Sequence, residues 1–181
     1  MSGRKLKILV ACVAAVAVVG WRMPSVRGQY NRLSPHETSS AVIDGAHIDI
    51  TYGRPSMRGR KIFGSLVPYG IVWMPGADLA TVLRTSAPLQ FNNFKLPAGS
   101  YSLYTRPGEQ TWTLIINSTT GQFHTQYPAD RDLVKLPMTI EKLKTPVEKL
   151  TITAVPRQAG GGSLQLEWET TRVSVPFAVL R

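Results

Sequence analysis

A chain of 181 residues with one cysteine and a formal net charge of +10 has room for one domain and a short extra segment. The cysteine, Cys12, lies in the N-terminal apolar run, so the body excludes a disulfide framework, a thiolate metal site and a cysteine nucleophile. Five basic residues (Arg4, Lys5, Lys7, Arg22, Arg27) fall in the first 28 positions, and no acid precedes Glu37. The sixteen basic and eleven acidic residues that remain give +5, too mild for charge alone to point to a nucleic-acid partner.

The first 28 residues read as an export signal. Arg4, Lys5 and Lys7 form a positive start, and Ile8–Val19 supply twelve apolar residues. That run is short of the roughly 20 needed to cross a bilayer and suits a signal core. Pro24 breaks the helix, and cleavage is expected after Gly28. Leu9-Val10-Ala11-Cys12 superficially matches a lipoprotein box, but the apolar run continues past Cys12. An uncut anchor is the other route, and the only one that brings a membrane into contact with the chain. Each route delivers the body out of the cytoplasm, to a periplasmic or secreted location.

Polar Gln29–Ser40 reads as a linker, extended to position 43, with the folded domain expected over 44–181. Ile48, Ile50 and Tyr52 alternate with His47, Asp49 and Thr51, the period of a half-buried strand. A second strand begins at Thr81–Leu83. Leu89–Leu96 is nearly symmetrical about Asn92-Asn93, residues that tolerate positive φ, and predicts a tight hairpin. Pro97-Ala98-Gly99 and Pro107-Gly108 turn the chain into Tyr101–Thr105 and Trp112–Ile116. Gly121–Asp132 is irregular and polar, Val134–Ile140 extended, and Leu150–Ala154 a further strand. After the turn Ala159–Gly162, Leu164–Trp168 and Val173–Val179 close the chain. Pro176 lacks a ladder donor and marks an edge or bulge.

Short alternating strands between Gly, Pro and Asn turns, without an amphipathic helix, predict an all-β fold. Each strand has one apolar face, so an antiparallel β-sandwich, jelly-roll-like or Ig-like, buries them most economically.

Tyr52–Thr81 stands apart, holding four basic residues, five glycines and three prolines. It resembles the bacterial domain-of-unknown-function family 2911. The resemblance rests on Tyr52–Ser56, Gly59–Gly64, Leu66–Gly70, Val72-Trp73 and Gly76-Ala77. It continues through Leu96–Gly99, Tyr101, Leu103, Pro107-Gly108 and Trp112, and ends in Leu164-x-Leu166-x-Trp168 and Val173-x-Val175-Pro176. It covers nearly everything after Ile48 and implies an exported all-β protein with no established activity. Met74 stands where such proteins usually carry arginine and Asp78 where they usually carry asparagine. A ligand site that used that pair would be altered here.

Arg54, Arg58, Arg60 and Lys61 follow a strand in a Gly/Pro-punctuated loop, where guanidinium forks and backbone N–H groups suit a carboxylate, phosphate or sulfate. The competing reading is a solvated loop whose arginines pair with nearby acids and carbonyls. The loop is no phosphate-binding P-loop, because Ile62 stands where magnesium needs Ser or Thr. Tyr69, Trp73 and Tyr52 offer a sugar- or peptide-binding groove beside it, against the alternative that the tryptophans are core.

His47 and Asp49 share a strand face and, with His124, have metal-ligand chemistry, although such i, i+2 pairs arise often by chance. No metal or other cofactor is expected. Glu167 and Glu169 should face solvent. Asp78 with Tyr69, His47 or Arg54 is the only acid–base set on offer. The leading expectation is a non-catalytic exported module binding a small anionic ligand, glycan or envelope partner through Arg54, Arg58, Arg60, Lys61, Tyr69, Trp73 and Asp78. An envelope hydrolase or lyase and a purely structural domain are the alternatives.

Overall fold

A computed structural model describes residues 34–181; the expected leader, with Cys12, and the first residues of the expected linker lie outside them. Nine strands follow, all paired antiparallel and hydrogen-bonded side by side in the order β1-β2-β3-β6-β7-β8-β9-β4-β5. The first hairpin joins β1 (His36–Ile43) to β2 (Ala46–Gly53). Its two-residue turn is Asp44-Gly45, both at positive φ (47° and 84°), the backbone that matches the twist of flanking strands. Residues 36–43, expected as linker, are therefore an edge strand. Their Ser/Thr-rich composition hid the alternation, in which Ala41 and Ile43 pack on the core.

The short β3 (Val82–Thr85) lies beside β2. Next comes the expected Asn-Asn hairpin, β4 (Leu89–Phe91) and β5 (Phe94–Leu96), with Phe91 opposite Phe94 and Asn92 at φ 46°. It is carried to the far edge of the sheet, and β6 (Gly99–Arg106) and β7 (Trp112–Asn117) resume beside β3.

The two longest strands decide the shape. β8 (Asp132–Pro156) begins paired to β7, and among the strands its later residues pair with β9 (Gly162–Val179). The register slips between Lys142, Val147 and Thr151, and Glu169 sits at φ 56°. Such bulges bend a strand and sharpen its twist, so the sheet folds over on itself. Its two apolar faces enclose one core, with Ile48, Ile50, Leu83, Leu103 and Leu114 from the first half and Leu150, Ile152, Leu166, Val173 and Val175 from the second. The expectation of separate strands at 134–140, 150–154, 164–168 and 173–179 thus resolves into two continuous ones. The sandwich is one folded sheet, not two hydrogen-bonded separately. Pro176 falls where pairing to β8 has stopped (Ser174) and pairing to β4 begins (Ala178), so no ladder bond needs its missing N–H.

One strand pair is covered on both faces. Tyr104 and Ile115, on the outer side of β6 and β7, form a second small core with Met74 and Ala80, packed against Val72 and Tyr127. The segments that supply that cover also build the cleft described next.

Candidate functional site

The crossover between β2 and β3, residues 54–81, caps one end of the sandwich. On one side its backbone bonds β8: Leu150 N–H donates to the Pro55 carbonyl and Met57 N–H to the Glu148 carbonyl, at 2.9 and 2.8 Å. On the other it runs along β6 where β3 has ended, with Trp73 and Thr105 exchanging N–H···O bonds of 2.7 and 2.8 Å. In between, Ile62, Phe63 and Val67 enter the core. Phe63 meets Trp73, Trp112 and Trp168 edge-on, at centroid distances of 6.1, 4.9 and 6.3 Å, while Trp73 stacks on Trp168 at 6.1 Å and 15°. Gly53 opens the crossover because nothing larger fits: a Cβ there would stand 2.2 Å from the Ala77 carbonyl oxygen.

The far wall comes from the β7–β8 connection. Ala80 N–H donates to the Gln122 carbonyl and His124 N–H to the Asp78 carbonyl, at 2.9 and 2.8 Å, so 122–124 runs as a short rung beside 78–80. A buried polar network pins this connection. Asn117 donates to the Pro128 carbonyl and to Asp132 Oδ1, Tyr127 donates its hydroxyl to Asp132 Oδ2, and Gln122 donates to Tyr104 Oη. Burial, then the Asp132 carboxylate, pushes the Tyr127 phenol well above the ordinary tyrosine range. Asn117 is fully buried in these bonds.

Between these walls lies a cleft of about 620 Å³ lined by Ser34, Pro55, Ser56, Arg58, Arg60, Leu66, Val67, Trp73, Gly76, Ala77, His124 and Trp168. Its volume falls within the ~300–1,000 Å³ of small-molecule sites. Arg60 folds back on its own loop, Nε donating to the Met57 carbonyl and Nη2 to the Ser56 carbonyl, at 2.9 and 2.8 Å. Arg58 is exposed, with its backbone N–H on Glu148 Oε1. His124 Nδ1 lies 3.0 Å from the Asp78 carbonyl oxygen. A carbonyl only accepts, so Nδ1 carries the proton.

Of the seven residues expected to form a site, the lining unites Arg58, Arg60 and Trp73. Arg54 is spent on structure, with Nη1 on Glu37 Oε2 (2.8 Å), Nε on the Leu150 carbonyl and Nη2 on Thr151 Oγ1 (both 3.0 Å). Lys61 is exposed outside the lining, and Tyr69 lies over Gly64. Asp78 is beside the cleft at φ 68°, a left-handed backbone that Asn and Asp tolerate. That requirement accounts for an acid in a position where the resemblance implies asparagine. Met74, the other departure, is buried in the outer core away from the lining.

Tyr52, considered for the groove, is core, its hydroxyl accepting from Ile152 N–H at 3.1 Å. Asp78 Oδ2 faces His36 Nε2 at 3.6 Å, and among the described residues no hydrogen bond or ion pair joins Asp78 to His47 or Tyr69. Asp49 accepts from Ser40 Oγ at 2.6 Å, and no three metal-ligating side chains cluster among the described residues. Glu169 was expected to face solvent. Its positive φ breaks the alternation and turns its carboxylate to the Phe63 N–H, 3.3 Å away.

Three contributors escaped the sequence: Ser34 and His124 in the lining, and Trp168, whose alternation placed it in the core yet which floors the cleft. Only the rung between 78–80 and 122–124 brings His124 here, and no local pattern encodes it.

Neither the curated proteins nor the solved structures contain a match to this chain. The family described as protein of unknown function (DUF2911) matches residues 34–177, a span that includes every strand from β1 to β8 and nearly all of β9. The chain belongs to that family.

Proposed function

We propose that this protein is an exported, non-catalytic binding module that holds a small anionic ligand in the cleft beneath the crossover. One observation carries the reading: Arg58, Arg60 and Trp73 of the crossover and His124 of the β7–β8 connection share one concave surface of about 620 Å³. Arg60 has two of its three guanidinium nitrogens fixed by loop carbonyls. A cation held in place before binding loses less side-chain entropy when an anion arrives. Export is supported by the basic start and twelve-residue apolar run of the leader.

The test is a thermal-shift and calorimetric screen of carboxylate, phosphate and sulfate compounds against wild type, Arg58→Ala, Arg60→Ala and Arg54→Ala. Binding should weaken about tenfold for the Arg58 and Arg60 variants, the loss of one charged hydrogen-bond partner. Arg54→Ala should lower stability and leave affinity unchanged. An equal loss of affinity in all three, or no binding of any anion, overturns the reading and leaves a purely structural domain.

A further inference from the structure

We infer that the ligand is an amphiphilic anion, an apolar chain or ring system ending in a carboxylate or phosphate, and not a saccharide. This rests on the binding reading above and narrows it.

The lining supports the distinction. Its polar side chains are two guanidinium groups, one imidazole and the hydroxyls of Ser34 and Ser56, and among the described residues no carboxylate or carboxamide lines the cleft. Sugar hydroxyls donate as well as accept, and the side chains that answer several of them at once are Asp, Glu, Asn and Gln. Arginine offers donors alone. A lining so rich in donors satisfies an acidic head and leaves a ring of hydroxyls short of acceptors, at the cost that falls on desolvated, unpaired polar groups.

The remaining walls are apolar: Pro55, Leu66, Val67, Trp73, Ala77 and Trp168. The apolar character continues outward. Leu66 is 47% exposed, Leu79 48% and Phe123 48%. Leu79 and Phe123 face each other across the rung that carries His124, and the Phe123 ring packs on the His124 ring at 4.5 Å. Large apolar side chains left in water around a cleft mark a surface that an apolar partner covers. With the cations and these apolar side chains in one lining, the head would sit at Arg58 and Arg60 and the body along Leu66, Val67 and Trp73.

The experiment uses the full-length chain and titrates dodecanoate, acetate and a glucuronate oligomer at constant ionic strength. Calorimetry and tryptophan fluorescence are the readouts, and Leu66→Ser and the Arg58→Ala/Arg60→Ala pair are the variants. Dodecanoate should bind at least tenfold tighter than acetate, because burying only a few methylenes suffices for that factor. Leu66→Ser should weaken dodecanoate several-fold more than it weakens acetate, and the arginine pair should weaken both.

A parallel arm with vesicles of neutral or anionic phospholipid separates the sources of such a ligand. Binding to anionic vesicles that the same variants abolish supports a membrane-held amphiphile, and binding of the monomer alone supports a free one. If the glucuronate oligomer binds tighter than dodecanoate, or dodecanoate no tighter than acetate, the inference falls and the anion-binding cleft stands. Dodecanoate binding that neither variant disturbs also overturns it, since the site then lies elsewhere. Failure of every anion to bind removes both readings.

Discussion

Arg54 and Arg60 are six positions apart and differ in what they bind within the fold, Arg54 reaching two other strands and Arg60 only its own loop. Arg54 joins β1, through Glu37, to Leu150 and Thr151 of β8, with a side chain 26% exposed. Its removal strands a carbonyl and half-exposes an acid, so Arg54→Ala should cost roughly 1–2 kcal/mol after allowing for solvent screening. Denaturant titration checks this; a change below about 0.5 kcal/mol would show the bonds to be incidental. Phe63 carries more. It is 3% exposed at the centre of three tryptophans, and Phe63→Ala should cost about 3–5 kcal/mol, the range for emptying a large core site. It should also disturb near-ultraviolet circular dichroism, since it frees the rings of Trp73, Trp112 and Trp168. The importance of both residues was hidden in the sequence. Arg54 looked like Arg58 and Arg60, and only the fold shows which guanidinium meets buried carbonyls.

Among the elements, the β7–β8 connection depends on buried phenols. Burial raises the Tyr127 and Tyr104 pKa values, with the Asp132 carboxylate adding to both, and burial also raises Tyr52 and Tyr101. A phenol with a raised pKa binds its proton more tightly folded than unfolded. Its stabilisation is therefore complete below the ordinary tyrosine pKa of about 10 and is lost as pH climbs through the folded value. Stability should be level with respect to these groups below pH ~10 and fall above it. In Tyr127→Phe the alkaline fall should be shallower and the plateau lower, because Asp132 loses a donor. Thermal unfolding followed from pH 8 to 11 checks both parts, and an unchanged slope in the variant would refute the assignment. Amide exchange across 118–128 should quicken in that variant, with His124 loosened and β2 unaffected. Strands such as β2, β6 and β7 were legible because alternation is local. The rung at 78–80 and 122–124 was not, since it pairs residues more than forty positions apart.

For the whole molecule, the shared strands matter most. β8 and β9 each belong to both layers, so neither half of the sheet has a boundary at which it could open alone. Unfolding should be a single transition, coincident by far-ultraviolet circular dichroism and by tryptophan fluorescence. Two separated transitions would show the layers to be independent. The crossover should unfold with the rest, because Ile62, Phe63 and Val67 lie in the common core. Gly53→Ala tests that coupling. The added Cβ meets backbone, which cannot rotate away, so it should cost about 1–3 kcal/mol and lower anion affinity together.

The sequence by itself determined the layer chemistry: period-two apolar residues, Asn-Asn and Gly-rich turns, and a crossover unlike the rest of the chain. These follow from backbone geometry and burial, which act between near neighbours. Only the tertiary structure decided that one sheet folds over through β8 and β9, that Arg54 is bound into the frame, and that Arg58, Arg60, Trp73 and His124 meet. Each of those outcomes rests on hydrogen bonds and packing between distant segments, where the partner, and not the residue's own character, sets the role.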